Sequence, residues 1–556
     1  MGGRNGSTGI RMRRAMLPVL FFAFTVGVSI PSEIYFGNEK EFSVGYPQIL
    51  PLILAVTAVL FAAAAGIAFL LRKQKRLLPV WLDLLFGGTL AVYLQQNLLN
   101  GELQLLDGAG SSPSGTSPLA LAALGVWIVC MAGPHILRKI RPRAEALVRR
   151  YGSALLTVMQ VGALAVMIIG SEGPTVSRFS LTKKDEFTVS PEGNIIVFVV
   201  DTLDAQWAED LIDGQEECRE ALKDFTFFSN VVGGGAPTII GMPTLFTGEI
   251  YDPDSGSVNR YMETAYRRST LFSDLRDNGY QVRLYTNNRY LYGADGTEIA
   301  NSAFNYRYQV RYPKKFVKDL YRMTAYKGLP YQLKKPFTVY SEELTGNVLA
   351  EGGAENRFEL DDAAFCSEFR KQGLTLSGEE KAFVVYHFFG AHGPFSMNEN
   401  GKKVREADTS REQQVLGVFR VIAEYLEEMK KHGVYDSSMI VITADHGGNL
   451  LYQNPAVFVK PGGARQDALA VSDAPLTFRN LRASFMEAAA GQRNEAYGDS
   501  MFTENLRPDE PRPHTFSITL YRRIYGEEPE RKYKNPKYLT LMIGDPARDR
   551  DLFTAP

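Results

Sequence analysis

The stretch NIIVFVVD (194–201) is an apolar run that ends abruptly in the carboxylate of Asp201. A second run of the same kind, MIVITAD (439–445), ends in Asp445, and His446 follows directly. Short apolar runs of this kind are typical of strands buried in a parallel sheet. Open α/β sheets carry their chemistry at the carboxyl ends of the strands. The sequence therefore predicts that these two aspartates and the histidine meet at one edge of a sheet.

Strand and helix patterns alternate around these two runs. The clearest are a helix, glycine stop and strand at 269–286, strands at 381–389 and 456–460, and a helix at 411–433. Such alternation predicts a mostly parallel sheet with helices on both faces. We assign 193–510 to this α/β domain and 511–556 to a small C-terminal subdomain with a strand at YLTLMIG (538–544).

The first 170 residues differ from the rest in composition. The net charge of −1 and the mean hydropathy of −0.14 average over two unlike halves of the 556-residue chain. Five N-terminal apolar segments are long enough, or nearly so, to cross a bilayer; they cover about 15–36, 49–71, 77–99, 119–137 and 154–170. We predict a transmembrane domain of five helices over 1–170, followed by an exposed polar connector over 171–192. We expect the first helix to be a membrane span that stays in the protein and not a cleaved signal peptide.

The charges between these segments predict the orientation of the chain. The N-terminal tail contains RMRR (11–14), and the second and fourth loops contain RKQKR (72–76) and RKIRPRAEALVRR (138–150). The loop 31–48 has one lysine, and 100–118 has no Lys or Arg. Because Lys and Arg favour the cytoplasmic side, we expect a multi-pass protein of the cell membrane with a cytoplasmic N-terminus and an extracytoplasmic catalytic domain.

Two polar features of the third apolar segment, Asp83 and a cluster at the outer end, can each be interpreted in two ways. Asp83 is either a functional intramembrane acid or an acid that snorkels to the nearby interface. At the outer end, a cluster of amides and acids either meets a lipid head group or caps a loop; it comprises Gln95, Gln96, Asn97, Asn100, Glu102 and Asp107.

Thr238 lies in the glycine-flanked stretch GGGAPTIIGMP (233–243). The glycines let backbone N–H groups approach an anion, and IIGMPTLFTG (239–248) reads as a short helix. A free threonine hydroxyl is a weak nucleophile that needs a base, a lowered pKa or a metal. Thr238 is therefore either a nucleophile activated in this way or simply a helix N-cap.

Asp201, Asp445, His446 and the Thr238 hydroxyl together make an oxygen-rich ligand set with one imidazole. This set suits one divalent metal, Mn²⁺ or Zn²⁺. His446 has an alternative role as a polar residue of a strand-to-loop turn.

The other histidines and the cysteines carry weaker signals. His392 lies in a glycine-bounded loop, where we expect it to bind phosphate or donate a proton, while His387 is expected to be a core or supporting residue. His135, His432 and His514 read as structural or solvated. The three cysteines form no metal or redox motif, and a disulfide between Cys218 and Cys366 is neither predicted nor excluded. The balanced charge gives no reason to expect a nucleic-acid partner.

These residues resemble the lipoteichoic acid synthase and phosphoethanolamine transferase group of the alkaline phosphatase/sulfatase superfamily. The resemblance covers the plan of five spans, an outward connector and a sulfatase-like domain. It implies that a strand-end acid, a threonine nucleophile and a late Asp-His pair hold the metal; these match Asp201, Thr238, Asp445 and His446.

Two further motifs support the resemblance. Pro243 stands five residues after Thr238, where the transferases carry a proline. HFFGAHGP (387–394) resembles their H-x-x-G-x-H-G-P pattern, which implies that His392 binds substrate.

The departures from the family pattern narrow the expected reaction. TIIGM (238–242) lacks the C/S-x-P/A-x-R motif of formylglycine-dependent sulfatases, which disfavours ordinary sulfatase activity. The first acid is Asp where the related transferases have Glu, and the few cysteines lean towards glycerol-phosphate transfer. We expect a metal-dependent transferase that moves glycerol-phosphate or phosphoethanolamine from a membrane phospholipid to an extracytoplasmic glycan or glycolipid. The alternatives are a phosphate or sulfate ester hydrolase and a non-catalytic lipid-binding membrane protein.

Overall fold

The computed structural model describes residues 16–39, 42, 44–100, 115–171, 173–174, 179–304, 307–339, 344, 348–351, 357–378, 380–448, 454–503, 511–518 and 538–544. The chain forms two compact units. The first contains Met1–Thr175 and Arg307–Glu351, and the second contains Val176–Tyr306 and Gly352–Pro556.

Five helices of the first unit are long and apolar enough to cross a membrane, and they fit a multi-pass membrane protein. They are α1 (Met16–Gly37), α2 (Tyr46–Lys73), α3 (Leu77–Leu99), α4 (Pro118–Ile140) and α5 (Pro142–Gly170). All five predicted spans are present. The basic stretch 138–150, expected as a loop, is helical except at Arg141, because Pro142 begins the next helix directly and the Arg residues are good helix formers.

The remaining helices are shorter: α6 (Ala205–Gly214), α7 (Glu216–Ala221), α8 (Thr238–Thr247), α9 (Val258–Arg268), α10 (Leu271–Asp277), α11 (Pro313–Gly328), α12 (Asp362–Gln372), α13 (Arg411–Lys431) and α14 (Phe478–Ala490). The strands are β1 (Ser180–Leu181), β2 (Thr188–Val189), β3 (Asn194–Val200), β4 (Thr226–Phe228), β5 (Val231–Val232), β6 (Tyr280–Tyr285), β7 (Ser302–Ala303), β8 (Arg307–Val310), β9 (Val348–Glu351), β10 (Thr375–Leu376), β11 (Lys381–Phe388), β12 (Met439–Thr443), β13 (Val457–Lys460), β14 (Ala470–Ser472), β15 (Leu476–Thr477), β16 (Arg512–Ser517) and β17 (Tyr538–Ile543).

The segment Arg307–Glu351, which we call the insertion, belongs with the membrane helices although its sequence interrupts the predicted 193–510 domain. Its helix α11 packs on the spans: the Tyr321 hydroxyl donates to the Gly27 carbonyl at 2.7 Å. The strands β8 and β9 flank α11 as an antiparallel pair. Sequence periodicity predicts elements but not which unit they join, so this grouping was not foreseen.

Asp83 in α3 is fully buried in the first unit. Its carboxylate lies 3.3 Å from Nε of Arg138 in α4, so the charge is paired across two spans. The outer polar cluster is also used internally: Gln95 receives a hydrogen bond from Trp127 and donates one to Asn100. This favours the structural interpretation of the cluster; Glu102 and Asp107 lie outside the described residues.

The predicted connector 171–192 is not exposed throughout. Phe179, Leu181, Phe187 and Val189 are buried, because β1 pairs with β7 and β2 pairs with β10. Its second half therefore belongs to the second unit.

A seven-stranded sheet forms the centre of the second unit, in the order β14-β4-β13-β12-β3-β11-β6. β6, β11, β3 and β12 run parallel, and only β13 runs against its neighbours. Two apolar clusters pack on the two faces, and residues alternating along β3 divide between them. The mostly parallel α/β fold predicted from the sequence is confirmed. In the C-terminal region β16 pairs with β17, and Thr515 of β16 also bridges Gly235 beside Thr238.

Candidate metal-dependent active site

The order of the central strands brings the two predicted aspartates together. β3 lies between β11 and β12 in parallel register, with Val199 opposite both His387 and Thr443. Asp201 directly follows β3, and Asp445 follows β12. Because the three strands end at the same edge, both carboxylates lie there, and both are buried.

Thr238 reaches the same edge as the first residue of α8. The helix packs directly on the loop after β12: a Cβ added at Gly241 would lie 2.4 Å from the carbonyl oxygen of Asp445. Glycine is required at this position for the close approach. Pro237 occupies the N-cap position, and Thr238 is the first residue inside the helix. The interpretation of Thr238 as an N-cap is therefore wrong.

The four predicted side chains converge at distances typical of ligands around one ion. Thr238 Oγ1 lies 3.3 Å from Asp201 Oδ2 and 3.5 Å from His446 Nε2. His446 Nε2 lies 3.4 Å from Asp445 Oδ2. A tetrahedral ion with bonds of about 2.1 Å holds its ligand atoms about 3.4 Å apart. The potential ligand atoms of the two aspartates and His446 all lie within 4.8 Å of one another.

Two details of hydrogen bonding fit a metal at this place. The His446 Nδ1 lies 2.8 Å from the Gly447 carbonyl, so Nδ1 carries the proton and Nε2 presents its lone pair to the site. Oδ2 of Asp445 is buried and has no hydrogen-bond donor among the described residues. A buried carboxylate oxygen without a donor is costly unless a cation compensates it.

The two carboxylates respond to this environment in opposite directions. Burial raises the pKa of Asp445, and the negative charge of Asp201 raises it further. Burial also acts to raise the pKa of Asp201, but the positive charges of His392 and His387 outweigh it and hold that pKa below its usual range. Both carboxylates can be ionised together only when a cation offsets their repulsion.

Thr202 is a site residue that sequence reasoning missed. Its hydroxyl donates to Asp201 Oδ1 at 2.6 Å, and its backbone N–H donates to Asp445 Oδ1 at 3.1 Å. Its φ of +64° is unusual for a β-branched residue. Strained backbone of this kind is typical of functional sites. Thr202 thus orients both carboxylates, although no sequence motif marks it.

His387 and His392 take different positions. Nε2 of His387 lies 3.5 Å from Asp201 Oδ2, and its Nδ1 lies 2.8 Å from the Thr286 hydroxyl. His387 is therefore a buried supporting residue next to the site. His392 lies in the loop after β11 and is close enough for its charge to lower the pKa of Asp201.

Two buried side chains hold the loop that carries His392. The Asp362 carboxylate accepts the backbone N–H groups of Phe389 and Gly390 at 2.8 and 2.9 Å. Gln414 donates to the Gly390 carbonyl and accepts from the N–H groups of Ser396 and Met397. Neither residue carries a sequence signal for this role, because each acts across a long separation in the chain.

His514, expected to be structural or solvated, is buried beside the site. Burial, and next the proximity of the His446 imidazole, lower its pKa to about 3, and its Nε2 has no hydrogen-bond partner among the described residues. It lies in β16, next to the bridge that Thr515 makes with Gly235. Only the pairing of the C-terminal strands brings it here. His135 lies in α4, and His432 follows the end of α13.

Comparison with known proteins supports an enzyme of a metal-dependent superfamily. A sequence profile described as Sulfatase matches residues 194–491, more than half of the chain. Sulfatase-family enzymes use a metal ion, which agrees with the cluster of Asp201, Asp445 and His446. No curated protein sequence matches the chain.

Several solved structures resemble the chain at low identity. A phosphonate monoester hydrolase from Silicibacter pomeroyi is 12% identical, with 63% of this chain and 85% of that chain covered and a TM-score of 0.37. An alkaline phosphatase superfamily protein from Vibrio parahaemolyticus is 13% identical, with 60% and 75% covered and a TM-score of 0.36. The PsFucS1 sulfatase from Pseudoalteromonas sp. is 13% identical, with 65% and 78% covered and a TM-score of 0.35. By the profile match over 194–491, this chain belongs to the sulfatase family.

Proposed function

We propose that this protein is a membrane-anchored, metal-dependent transferase that moves a glycerol-phosphate or phosphoethanolamine group from a phospholipid to an extracytoplasmic glycan or glycolipid. The observation that carries the proposal is the position of Thr238. Its hydroxyl lies 3.3 Å from Asp201 and 3.5 Å from His446, where a nucleophile of this family would stand. A threonine in place of the Cys or Ser that yields formylglycine favours phosphoryl transfer over sulfate ester hydrolysis.

Asp201, Asp445, His446 and Thr238 would hold the cation, Mn²⁺ or Zn²⁺. When bound, such an ion lowers the pKa of a neighbouring hydroxyl and offsets charge on phosphoryl oxygens.

The transfer takes two steps at Thr238. In the first, the Thr238 oxygen loses its proton and bonds to the phosphorus of the donor, while the bond from phosphorus to the diacylglycerol oxygen breaks and that oxygen takes up a proton. In the second, an acceptor hydroxyl oxygen loses its proton and bonds to phosphorus, and the Thr238 oxygen leaves and is reprotonated. His392, held beside Asp201, is suited to bind the phosphate or to donate the proton to the leaving oxygen.

The five spans suit a donor that stays in the bilayer. An enzyme of this kind gains from being held at the membrane, because its lipid substrate does not leave it. With the N-terminus in the cytoplasm, as the Lys and Arg pattern predicts, the catalytic unit acts on the extracytoplasmic leaflet.

The test is to search for the group attached to Thr238. The purified full-length protein with Mn²⁺ is incubated separately with phosphatidylglycerol and phosphatidylethanolamine, and its peptides are analysed by mass spectrometry. We expect an adduct on Thr238 whose mass identifies the donor, together with released diacylglycerol. Thr238→Ala should lose both, while Thr244→Val, an isosteric change in the same helix, should keep them.

Other results would point elsewhere. If a glycolipid acceptor is added and free glycerol-phosphate is released, but no glycerol-phosphate is found on the acceptor, the protein is a hydrolase. Absence of adduct and of diacylglycerol with every phospholipid, in a protein that binds Mn²⁺, would contradict the proposal and favour a non-catalytic role.

A further inference from the structure

The insertion carries a positive charge that the chain as a whole does not have. Residues 311–337 contain eight Lys or Arg and a single acid, Asp319, whereas the net charge of the whole protein is −1. A local excess of this size predicts an anionic partner. The structure shows how much of the excess is neutralised internally.

Three of the eight cations are used inside the first unit. Arg322 pairs with Asp319 at 3.4 Å. Lys327 pairs with Glu33 of α1. The buried ammonium of Lys334 donates to the backbone carbonyl of Tyr326 and so satisfies the C-terminal end of α11.

Four other lysines of the insertion have no such partner. Lys314, Lys315, Lys318 and Lys335 are exposed, and none forms an ion pair within the part of the chain that the structure describes. Lys314 and Lys318 are separated by one helical turn, and like charges at this spacing repel each other. An external anion would relieve this repulsion.

Contacts between α11 and the spans place these lysines at one end of the bundle of membrane helices. The ring of Phe316, which stands between Lys315 and Lys318 in the sequence, packs on Phe42 with ring centroids 6.4 Å apart, and Phe42 lies in the stretch that joins α1 to α2. The carbonyl of Lys327 accepts from Asn100 at 2.8 Å, and Tyr331 donates to Leu99 at 2.9 Å. α11 is therefore held among the ends of α1 and α3, at the level where a bilayer has its head groups.

Exposed apolar side chains accompany the lysines. Tyr312 is 47% exposed and Leu333 is 53% exposed, and they lie near the two ends of the basic stretch 311–337. Tyrosine is enriched at membrane–water interfaces, where lysine side chains also extend towards the head groups. This mixture fits a lipid surface better than it fits a soluble anion.

We infer that the insertion binds the anionic phospholipid head groups of the leaflet on its own side of the membrane, through Lys314, Lys315, Lys318 and Lys335. The inference goes beyond the proposed transfer reaction and does not require it. Binding of this kind would enrich anionic lipid around the protein. Each lysine near an anionic surface contributes roughly fivefold to binding.

The test compares two variants of the full-length protein in mixed micelles of phosphatidylglycerol and phosphatidylcholine. In one, all four lysines are replaced (Lys314→Gln, Lys315→Gln, Lys318→Gln and Lys335→Gln). In the matched control, four exposed lysines of the second unit are replaced (Lys184→Gln, Lys371→Gln, Lys402→Gln and Lys431→Gln). Retained phosphatidylglycerol is counted by native mass spectrometry, and unfolding temperature in phosphatidylcholine alone checks the fold.

We expect the wild type and the control variant to retain phosphatidylglycerol in preference to phosphatidylcholine. The insertion variant should lose at least about tenfold in that preference, with an unchanged unfolding temperature, and high salt should reduce the difference. Equal preference in the insertion variant and the wild type, or an equal loss in the control variant, would overturn the inference. The experiment measures lipid binding and not turnover. Its result can therefore be interpreted whether or not the transferase proposal holds.

Discussion

Asp201 and Asp445 are two buried carboxylates whose atoms surround the hydroxyl of Thr238 and the Nε2 of His446. Thr202 orients both acids through its hydroxyl and its N–H, but Oδ2 of Asp445 receives no hydrogen bond from a described residue. At the scale of single residues, therefore, the buried Asp445 carboxylate calls for a cation to offset its charge, and the effect of removing that charge can be measured.

Replacement of Asp445 by Asn should change how the metal-free protein responds to pH. Because the folded-state pKa of Asp445 is raised, its contribution to stability is present below the unfolded-state value of 3.8 and is lost as pH rises through the folded-state pKa. We expect the wild type in chelator to lose stability above about pH 4, and Asp445→Asn to lose less. Added Mn²⁺ should raise the unfolding temperature of the wild type but not of the variant.

Thermal unfolding between pH 4 and 8, with chelator and with Mn²⁺, measures both effects. Asp467→Asn, at an exposed position, serves as the control and should respond like the wild type. A full Mn²⁺ response in Asp445→Asn would show that this carboxylate does not hold the ion.

At the scale of elements, α8 positions Thr238 and the loop after β11 carries His392. α8 approaches the loop after β12 so closely that only glycine fits at Gly241. The loop after β11 is held by Asp362 from α12 and Gln414 from α13. Both contacts join elements that are distant in sequence.

Gly241→Ala should displace α8 and with it Thr238. A Cβ at this position would lie 2.4 Å from a backbone oxygen, which cannot move as a side chain can. We expect a loss of about 1–3 kcal/mol in the free energy of unfolding together with loss of adduct formation on Thr238. Gly214→Ala is the matched control, since no atom lies within 4 Å of the Cβ it would add. Denaturant unfolding compares the two, and equal stabilities would contradict the close packing of α8.

Asp362→Asn should loosen the loop that carries His392. The amide has only one oxygen to accept the two N–H groups, so we expect a loss of roughly 10–100-fold in activity with little change in metal affinity. Burial raises the pKa of Asp362 to about 6, more than the two N–H bonds lower it. The wild type should therefore lose about 3 kcal/mol in its free energy of unfolding between pH 4 and pH 7, and Asp362→Asn should not. The stability advantage of the wild type over the variant should thus shrink as pH rises.

Asp361→Asn tests whether the effect belongs to Asp362. Asp361 caps α12 by accepting from Ala364, and Asn caps equally well, so this variant should keep wild-type activity. Urea unfolding at several pH values and activity at one pH separate the two variants. A stability difference that does not change with pH would show that Asp362 does not titrate as described.

For the whole molecule, the Lys and Arg residues between the five spans predict one direction of insertion. Cys130, Cys218 and Cys366 are all buried, so an introduced cysteine reports its own side of the membrane. We expect Glu380→Cys to react with a membrane-impermeant maleimide in intact cells, and Lys75→Cys to react only after lysis. Labelling of Lys75→Cys in intact cells would reverse the orientation.

The sequence alone determined the properties that depend on local pattern. The five spans, strands β3, β6, β11, β12 and β13, helix α13 and the strand-end positions of Asp201 and Asp445 all follow from runs of apolar residues and from the charges or glycines that end them. These signals are local because burial in a bilayer or a sheet constrains each stretch separately.

Only the tertiary structure decided which distant parts meet. The position of β3 between β11 and β12, the contact of Gly241 with Asp445, and the placing of Thr202 and His514 at the site depend on packing between separate elements. The same is true of the insertion, whose sequence lies inside the catalytic half but whose α11 packs on the membrane helices. Such contacts are selected by the shape and charge of both partners, and neither partner's sequence contains that information by itself.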